Sequence, residues 1–126
     1  MSIVAVIVAA LSAFFVGGIW YGPLFSKAWM EENAFTEADL AKRNMGLVFG
    51  LSLLFSLVSA FLLAMFIGTN DLGFSMLAGL SVGLGWVACS LGVTYLFEGK
   101  SLKLFLINAG YHVVSFLLMG LIIGIL

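Results

Sequence analysis

The sequence predicts an all-α, polytopic membrane protein: a bundle of four transmembrane helices with a short interfacial helix in its first cytoplasmic loop. One observation is composition, because 63% of the 126 residues are hydrophobic, 9% are charged, and the mean hydropathy is +1.25. Soluble domains are about 45–50% apolar and about 25% charged. The other observation is that the apolar residues form four continuous runs, each near the ~20 residues that a helix needs to cross about 30 Å of hydrocarbon.

The four runs lie in a single predicted membrane domain, residues 1–126. The predicted spans are residues 2–21, 45–68, 73–97 and 102–126. The runs are continuous rather than alternating, which argues against a β-barrel. The first run has no Lys or Arg before it and is longer than the apolar core of a signal peptide. We therefore expect it to be retained as a transmembrane helix.

The basic residues predict the orientation, because all of them lie in or beside the loops that follow spans one and three. They are Lys27, Lys42, Arg43, Lys100 and Lys103. The positive-inside rule places loops 22–44 and 98–101 in the cytoplasm and both termini outside. The predicted location is therefore the cytoplasmic (inner) membrane, with the lipid bilayer as a partner.

The second part of the first loop predicts a short helix. Thr36 fits its N-cap and Asp39 fits its third position, which is a carboxylate form of the capping box. Lys42 and Arg43 follow, directly before the second apolar run. We expect this helix to continue into span two.

The segment Gly17–Trp29 predicts the exit of span one from the membrane. Its interfacial motif consists of Trp20, Tyr21, Pro23, Lys27 and Trp29. The first two residues fit the aromatic belt at the headgroups, and Gly22-Pro23 is expected to end the helix.

Pro23 also fits the first position of a short interfacial helix. This helix would place its apolar side chains on one side and Lys27 and Glu31 on the other, a pattern typical of helices that lie flat in the interface. The apolar side chains are Leu24, Phe25, Ala28 and Trp29. The alternative is a solvated loop with two buried aromatic side chains.

Small residues recur at every fourth position of each span, which keeps them on one helix face. In span two they are Ser52, Ser56, Ala60, Ala64 and Gly68, and in span one Ala5, Ala9, Ala13 and Gly17. Spans three and four add Ser75, Gly79, Gly83, Gly120 and Gly124. Small residues let membrane helices approach closely. The stripes predict a tightly packed bundle, with a face left over for a homo-oligomer or a membrane-protein partner.

Polar residues within the spans are functional candidates, because lipid makes them costly. The candidate intramembrane site consists of Ser90, Thr94, Asn108, Tyr111 and His112, and its cytoplasmic mouth of Tyr95 and Glu98. One interpretation is a site that handles protons or a ligand, with the histidine titrating near neutral pH. The other is a set of structural hydrogen bonds between helices, which we favour because transporters usually carry more intramembrane charge.

The turn near Gly99 predicts the register of spans three and four. His112 should lie level with Ala88, and about 15 Å along the axis from Glu98. That distance excludes a direct pair between the Glu98 and His112 side chains within one chain.

Several classes of function lack support in the sequence. One histidine and the single cysteine, Cys89, fall short of the three or four ligands of a metal site. No catalytic triad, phosphate loop or cofactor motif is present, so we predict no metal, no cofactor and no enzymatic activity. The formal net charge of −1 argues against a nucleic-acid partner.

Four motifs resemble a family of bacterial membrane proteins. They are the Gly-x-Trp-Tyr-x-Pro-Leu-Phe-x-Lys-x-Trp pattern of residues 18–29, "TEADL" from Thr36, "NMG" from Asn44 and "AGYHVVSFLLMG" of residues 109–120. The family is known as domain of unknown function 1761. The resemblance implies a small four-helix integral membrane protein and implies no activity. The matching positions to watch are Trp20, Tyr21, Pro23, Trp29, Tyr111 and His112.

The prediction is a non-enzymatic membrane protein that associates with itself or with another membrane protein. The alternative is a subunit of a small-solute, ion or proton transporter or channel, with a polar path along spans three and four. A third possibility is an enzyme acting on lipid or quinone at the interfacial segment Trp20–Trp29, which has no acid–base pair other than Lys27 and Glu31.

Overall fold

The computed structural model describes residues 2–126. Within them, four helical segments are long and apolar enough to cross a membrane: Ile3–Leu24, Met45–Ile67, Leu72–Glu98 and Leu102–Ile125. The all-α, four-span architecture predicted from the sequence is confirmed. We call the end of the bundle that carries the five basic side chains the cationic end; it lies where spans one and three finish and spans two and four begin.

Span one does not end at Gly22-Pro23 as predicted. Helix α1 covers Ile3–Ile19, and a π-helical turn, Trp20–Leu24, extends it past Pro23. Pro23 has no N–H and its ring crowds the carbonyl four residues earlier. The wider turn avoids that crowding, and the N–H of Phe25 closes it on the carbonyl of Trp20 at 2.9 Å.

Two short helices follow, and the first begins later than predicted. Helix α2 covers Ser26–Asn33, so Pro23 belongs to the π-helical turn before it and not to its first position. Ala34 then adopts a left-handed conformation, with φ 57°, which reverses the chain. This reversal brings the segment after α2 back towards the end of span one.

Helix α3, Glu37–Ala41, begins with the predicted capping box. The N–H of Thr36 donates to Asp39 Oδ2 at 2.9 Å, and the N–H of Asp39 donates to Thr36 Oγ1 at 3.1 Å. The bond from the Thr36 backbone lowers the pKa of Asp39 below its usual value. The helix does not continue into span two, because the Asn44 side chain caps a new helix by accepting from the N–H of Leu47 at 3.1 Å.

Helix α4 covers Met45–Ile67, and its buried residues all lie in its second half. The buried residues there are Ala60, Leu63, Ala64 and Ile67. The half nearer the cationic end is exposed over residues 45–52, and ring contact of Phe49 with Phe14 of α1, 6.1 Å between centroids, links it to the bundle.

Span three contains a helical irregularity. It consists of α5, Leu72–Ser81, a π-helical segment, Val82–Ala88, and α6, Cys89–Glu98. Gly99, with φ 70°, ends it in a left-handed conformation that suits glycine. Ser101 then caps α7, Leu102–Ile125, by accepting from the N–H of Leu104 at 3.1 Å.

Glycines allow α5 and α7 to pack at backbone distance. A Cβ atom at Gly79 would overlap the carbonyl oxygen of Phe116, and one at Gly83 would lie 2.9 Å from the Cα of Val113. A Cβ at Gly120 would overlap the carbonyl oxygen of Ser75. The predicted small-residue stripes of spans three and four therefore form an interface inside the chain.

This contact corrects the predicted register of spans three and four. The carbonyl of His112 faces Gly83, so His112 lies level with Gly83 rather than with Ala88. The prediction assumed a uniform α-helical rise along both spans. The π-helical segment Val82–Ala88 breaks that assumption, because its i→i+5 winding uses more residues for the same length.

The buried core joins the other predicted stripes. Span one contributes Ala9, Ala10 and Ala13, and α4 contributes Ala60 and Ala64. Larger side chains fill the space around them: Leu63 and Ile67 of α4 and Met119 of α7. Close contact in the bundle therefore rests on small side chains, as expected where water does not drive helices together.

Candidate functional site

Trp20 connects the end of span one to span four. Its indole Nε1 donates to the carbonyl oxygen of Ile107 at 2.8 Å. The ring packs against α7 at Gly110, where an added Cβ atom would lie 3.0 Å from the Cζ2 atom of the indole. The π-helical turn that begins at Trp20 sets this direction, so the half-buried indole packs against α7, and its place in the aromatic belt at the headgroups stays a prediction.

Asn108 joins three helical segments through two tyrosine hydroxyl groups. The hydroxyl of Tyr21 donates to Asn108 Oδ1 at 2.6 Å, and Asn108 Nδ2 donates to the hydroxyl oxygen of Tyr95 at 2.7 Å. The three residues come from span one, α7 and α6, and all are half-buried. We call them the tyrosine–asparagine bridge. Both ends of the asparagine amide are therefore satisfied in a place where unpaired polar groups are costly.

Tyr111 and His112 lie one turn deeper on α7. The hydroxyl of Tyr111 donates to the carbonyl oxygen of Ala13 at 3.1 Å, and its ring lies against Gly17, where a Cβ would be 3.4 Å away. The imidazole of His112 is half-buried beside the Tyr111 ring, with 5.0 Å between centroids. This pair extends the contact between spans one and four toward the middle of the bundle.

A ladder of aromatic rings connects the bridge to the surface loop. Ring centroids are 5.4 Å apart for Tyr111 and Tyr21, 5.5 Å for Tyr21 and Trp29, and 5.3 Å for Trp29 and Phe35. The guanidinium of Arg43 lies over the Phe35 ring, 4.6 Å from its centroid, a favourable cation–π geometry. The aromatic ladder fixes α2 and the following segment against the ends of spans one and four.

The chemistry of these groups suits positioning better than bond breaking. The bridge offers two phenol hydroxyls and an amide, and each hydrogen bond runs between helices. Among residues 2–126, no three His, Cys, Asp or Glu side chains group as metal ligands would. The predicted absence of a cofactor and of enzymatic activity stays a prediction.

Two residues of the predicted polar site lie elsewhere. Ser90 and Thr94 are exposed on the outer surface of span three. With Trp86, Val87 and Leu91 they line an open groove of about 360 Å³. The structure thus brings together Asn108, Tyr111 and His112 and separates them from the two hydroxyl side chains.

The two residues of the predicted mouth also separate. Tyr95 points into the bridge through its hydroxyl, whereas Glu98 is exposed at the end of α6. A continuous polar path from Glu98 through Thr94 to His112 is therefore not formed by this arrangement.

A second concave region lies at the cationic end, between the end of span one and the segment after α2. This interfacial cleft has a volume of about 650 Å³. Residues 22–24, 26, 27, 30, 31 and 34–37 line it. Of the predicted interfacial motif, Pro23 and Lys27 belong to the cleft, while Trp20, Tyr21 and Trp29 belong to the bundle and the aromatic ladder.

Two glycines make room for the aromatic rings beside the bridge, a role that the sequence did not assign to them. Gly17 and Gly110 make room for the rings of Tyr111 and Trp20. A spacing signal existed for Gly17, which ends the stripe on span one. Gly110 lies outside the four-residue stripes, so the available signal was its place between Asn108 and Tyr111 in a motif of the resembled family.

Comparison with known proteins supports the resemblance noted in the sequence. The family model of a protein of unknown function, DUF1761, matches residues 4–124. No curated protein and no solved structure matches the chain. The family match extends over all four membrane-length helices and includes the bridge, the aromatic ladder and the cleft. The chain therefore belongs to the DUF1761 family of proteins of unknown function.

Proposed function

We propose that the chain is a non-enzymatic module of the cytoplasmic membrane that associates with itself through the outer face of span three. The observation that carries the proposal is the chemistry of this exposed face. Its exposed residues include Gly85, Trp86, Cys89, Ser90 and Thr94. A lipid-facing surface would be expected to carry larger aliphatic side chains, as most of α4 does.

Hydroxyl groups favour a protein partner on this face. Ser90 and Thr94 would face hydrocarbon in an isolated chain, whereas a second helix can supply hydrogen-bond partners. A Cβ at Gly85 would meet nothing within 4 Å, so the backbone there is open to close approach. Trp86, 61% exposed, borders the groove and provides a large surface to bury.

Many of the other small residues are already used inside the chain. Gly79, Gly83 and Gly120 form the contact between α5 and α7. The alanine stripes of span one and α4 are buried in the core. Gly50 and Ser52 of α4 are exposed as well, but the outer face of span three combines Trp86 with two hydroxyl side chains, Ser90 and Thr94, along one open groove.

Native Cys89 provides the test, because it is the single cysteine and lies exposed on the proposed interface. A twofold contact between two copies places the same patch on both sides. We expect oxidation by dissolved oxygen, catalysed by membrane-permeant copper phenanthroline, to join unmodified chains into Cys89–Cys89 disulfide dimers in native membranes. Gly85→Leu should reduce the dimer yield at least fivefold by blocking close approach.

The matched control moves the cysteine to another exposed face. Val58 of α4 is 50% exposed, so Cys89→Ser combined with Val58→Cys should stay monomeric on the gel after the same oxidation, and maleimide labelling after denaturation should verify that its thiol is free. Equal dimer yields from positions 58 and 89, or no dimer from either, would contradict the proposed interface.

The transporter or channel alternative has less support from the geometry. Its polar path required Ser90 and Thr94 to lie beside Asn108 and His112, but the two hydroxyl side chains face outward. The tyrosine–asparagine bridge also satisfies Asn108 internally. Solute flux in proteoliposomes that falls in both Asn108→Ala and Ser90→Ala would favour this alternative over a purely associative role.

A further inference from the structure

The interfacial cleft combines an open volume, one basic and two acidic side chains, and a position at the end of a membrane span. Its charged residues are Lys27, Glu31 and Glu37. We propose that the cleft binds the headgroup of a phospholipid that carries a primary amine, drawn from the leaflet at the cationic end. This inference does not depend on self-association of the chain.

The position of the cleft along the membrane spans favours a lipid over a soluble ligand. One wall is the last turn of span one, where Leu24 is 59% exposed. Span one ends at Leu24 and span two begins at Met45, so the cleft lies where a bilayer changes from hydrocarbon to headgroups. Pro23 and Met30 add apolar surface that suits the glycerol and the first carbons of an acyl chain.

Helix α2 places Lys27 and Glu31 on the cleft. Lys27, Met30, Glu31 and Ala34 line it at steps of three and four, which is one helix face. The opposite face carries Trp29, which packs on Tyr21. The ammonium of Lys27 provides a point charge for a phosphate. Lys27 lies in the first turn of α2, and the helix dipole also favours an anion at this N-terminal end.

The acidic side chains select the other end of the headgroup. Glu31 and Glu37 lie on the two walls of the cleft, so its lining carries one positive and two negative charges. A purely anionic headgroup would meet repulsion there. A primary ammonium can donate three hydrogen bonds to carboxylates, whereas a trimethylammonium group has no donor. Ethanolamine-type headgroups therefore fit better than choline or glycerol headgroups.

The shape of the cleft is fixed before a lipid arrives. The left-handed conformation of Ala34, φ 57°, turns Phe35–Glu37 back toward Gly22–Lys27. The Phe35 ring is held by Trp29 on α2 and by the guanidinium of Arg43. Because the aromatic ladder holds this wall, binding need not order the loop, which lowers the cost of association.

Native mass spectrometry of the full chain in mild detergent tests the proposal. Phosphatidylethanolamine, phosphatidylcholine and phosphatidylglycerol with identical acyl chains are added one at a time. We expect a one-to-one complex with phosphatidylethanolamine that is at least fivefold more abundant than either other complex. Glu31→Gln and Glu37→Gln should each reduce this preference, and the double variant should abolish it.

Lys27→Ala should weaken binding of phosphatidylethanolamine and phosphatidylcholine alike, because both share the phosphate. Glu98→Gln is the matched control, since Glu98 is an exposed carboxylate at the same end of the bundle and outside the cleft. All the altered side chains are exposed, and tryptophan fluorescence would verify that each variant keeps its fold.

Four results would overturn the inference. One is equal binding of the three lipids. Another is a preference that survives in the Glu31→Gln, Glu37→Gln double variant, and another is a preference that disappears in Glu98→Gln. The last is one-to-one binding of soluble phosphoethanolamine as strong as that of the lipid, which would identify a water-borne zwitterion as the ligand.

Discussion

Asn108 connects three helical segments at the cationic end through two side-chain hydrogen bonds. It accepts from the hydroxyl of Tyr21 and donates to that of Tyr95, so one side chain connects span one, α6 and α7. The sequence indicated Asn108 as a costly polar residue in a span. It could not indicate its partners, because residue spacing defines the face of one helix and not how neighbouring helices are rotated against it.

We expect Asn108→Ala to destabilise the fold by about 1–2 kcal/mol, since it removes two interhelical hydrogen bonds in a membrane setting. Ser52→Ala is the matched control, because its hydroxyl is exposed on α4, away from the bridge and from the outer face of span three, and it should change stability by less than about 0.5 kcal/mol. Reversible unfolding in mixed micelles, followed by tryptophan fluorescence, measures both. A smaller effect for Asn108→Ala than for Ser52→Ala would show that the bridge does not stabilise the bundle.

At the scale of elements, both π-helical segments lie in spans that supply the bridge. Trp20–Leu24 carries Tyr21, and Val82–Ala88 precedes the helix that carries Tyr95. Pro23 predicts an irregularity at the end of span one; a helix end is the simplest form of it, and the structure instead continues the helix with wider winding. Val82–Ala88 contains no proline, so the sequence carried no comparable signal for it.

The contact between α5 and α7 predicts a strong effect of one methyl group. In Gly79→Ala the new Cβ would overlap the carbonyl oxygen of Phe116, a backbone atom that cannot turn away. We expect a loss of about 1–3 kcal/mol, which is typical of overpacking. Gly50→Ala is the control, because a Cβ there meets nothing within 4 Å, and it should be neutral or stabilise α4 by up to about 1 kcal/mol.

The same unfolding measurement in mild detergent compares the two glycine variants. A similar loss in both would attribute the effect of Gly79→Ala to helix propensity rather than to contact between helices.

At the scale of the whole molecule, the sequence was most informative about the four spans. Their bounds agree with the predicted ones within a few residues. Exposing charges or unpaired backbone groups to lipid is costly, so each span must be a continuous apolar run that is visible in the sequence. The loop between spans one and two was harder to predict. Its path depends on contacts such as Trp29 with Tyr21 and Arg43 with Phe35, which join residues across turns of the chain rather than neighbours on one helix face.

The distribution of basic residues predicts how the whole bundle is oriented. All five lie at the cationic end, so we expect this end to face the cytoplasm and the turn after span two to face outside.

Cysteine labelling tests this orientation. In a Cys89→Ser background, Thr69→Cys should react with a membrane-impermeant maleimide in intact cells, whereas Ala38→Cys should react only after the membrane is opened. Both positions are exposed in the structure, so a lack of labelling reports the membrane side and not burial. Labelling of both positions from the same side would contradict the four-span topology, and the reverse pattern would place the cationic end outside.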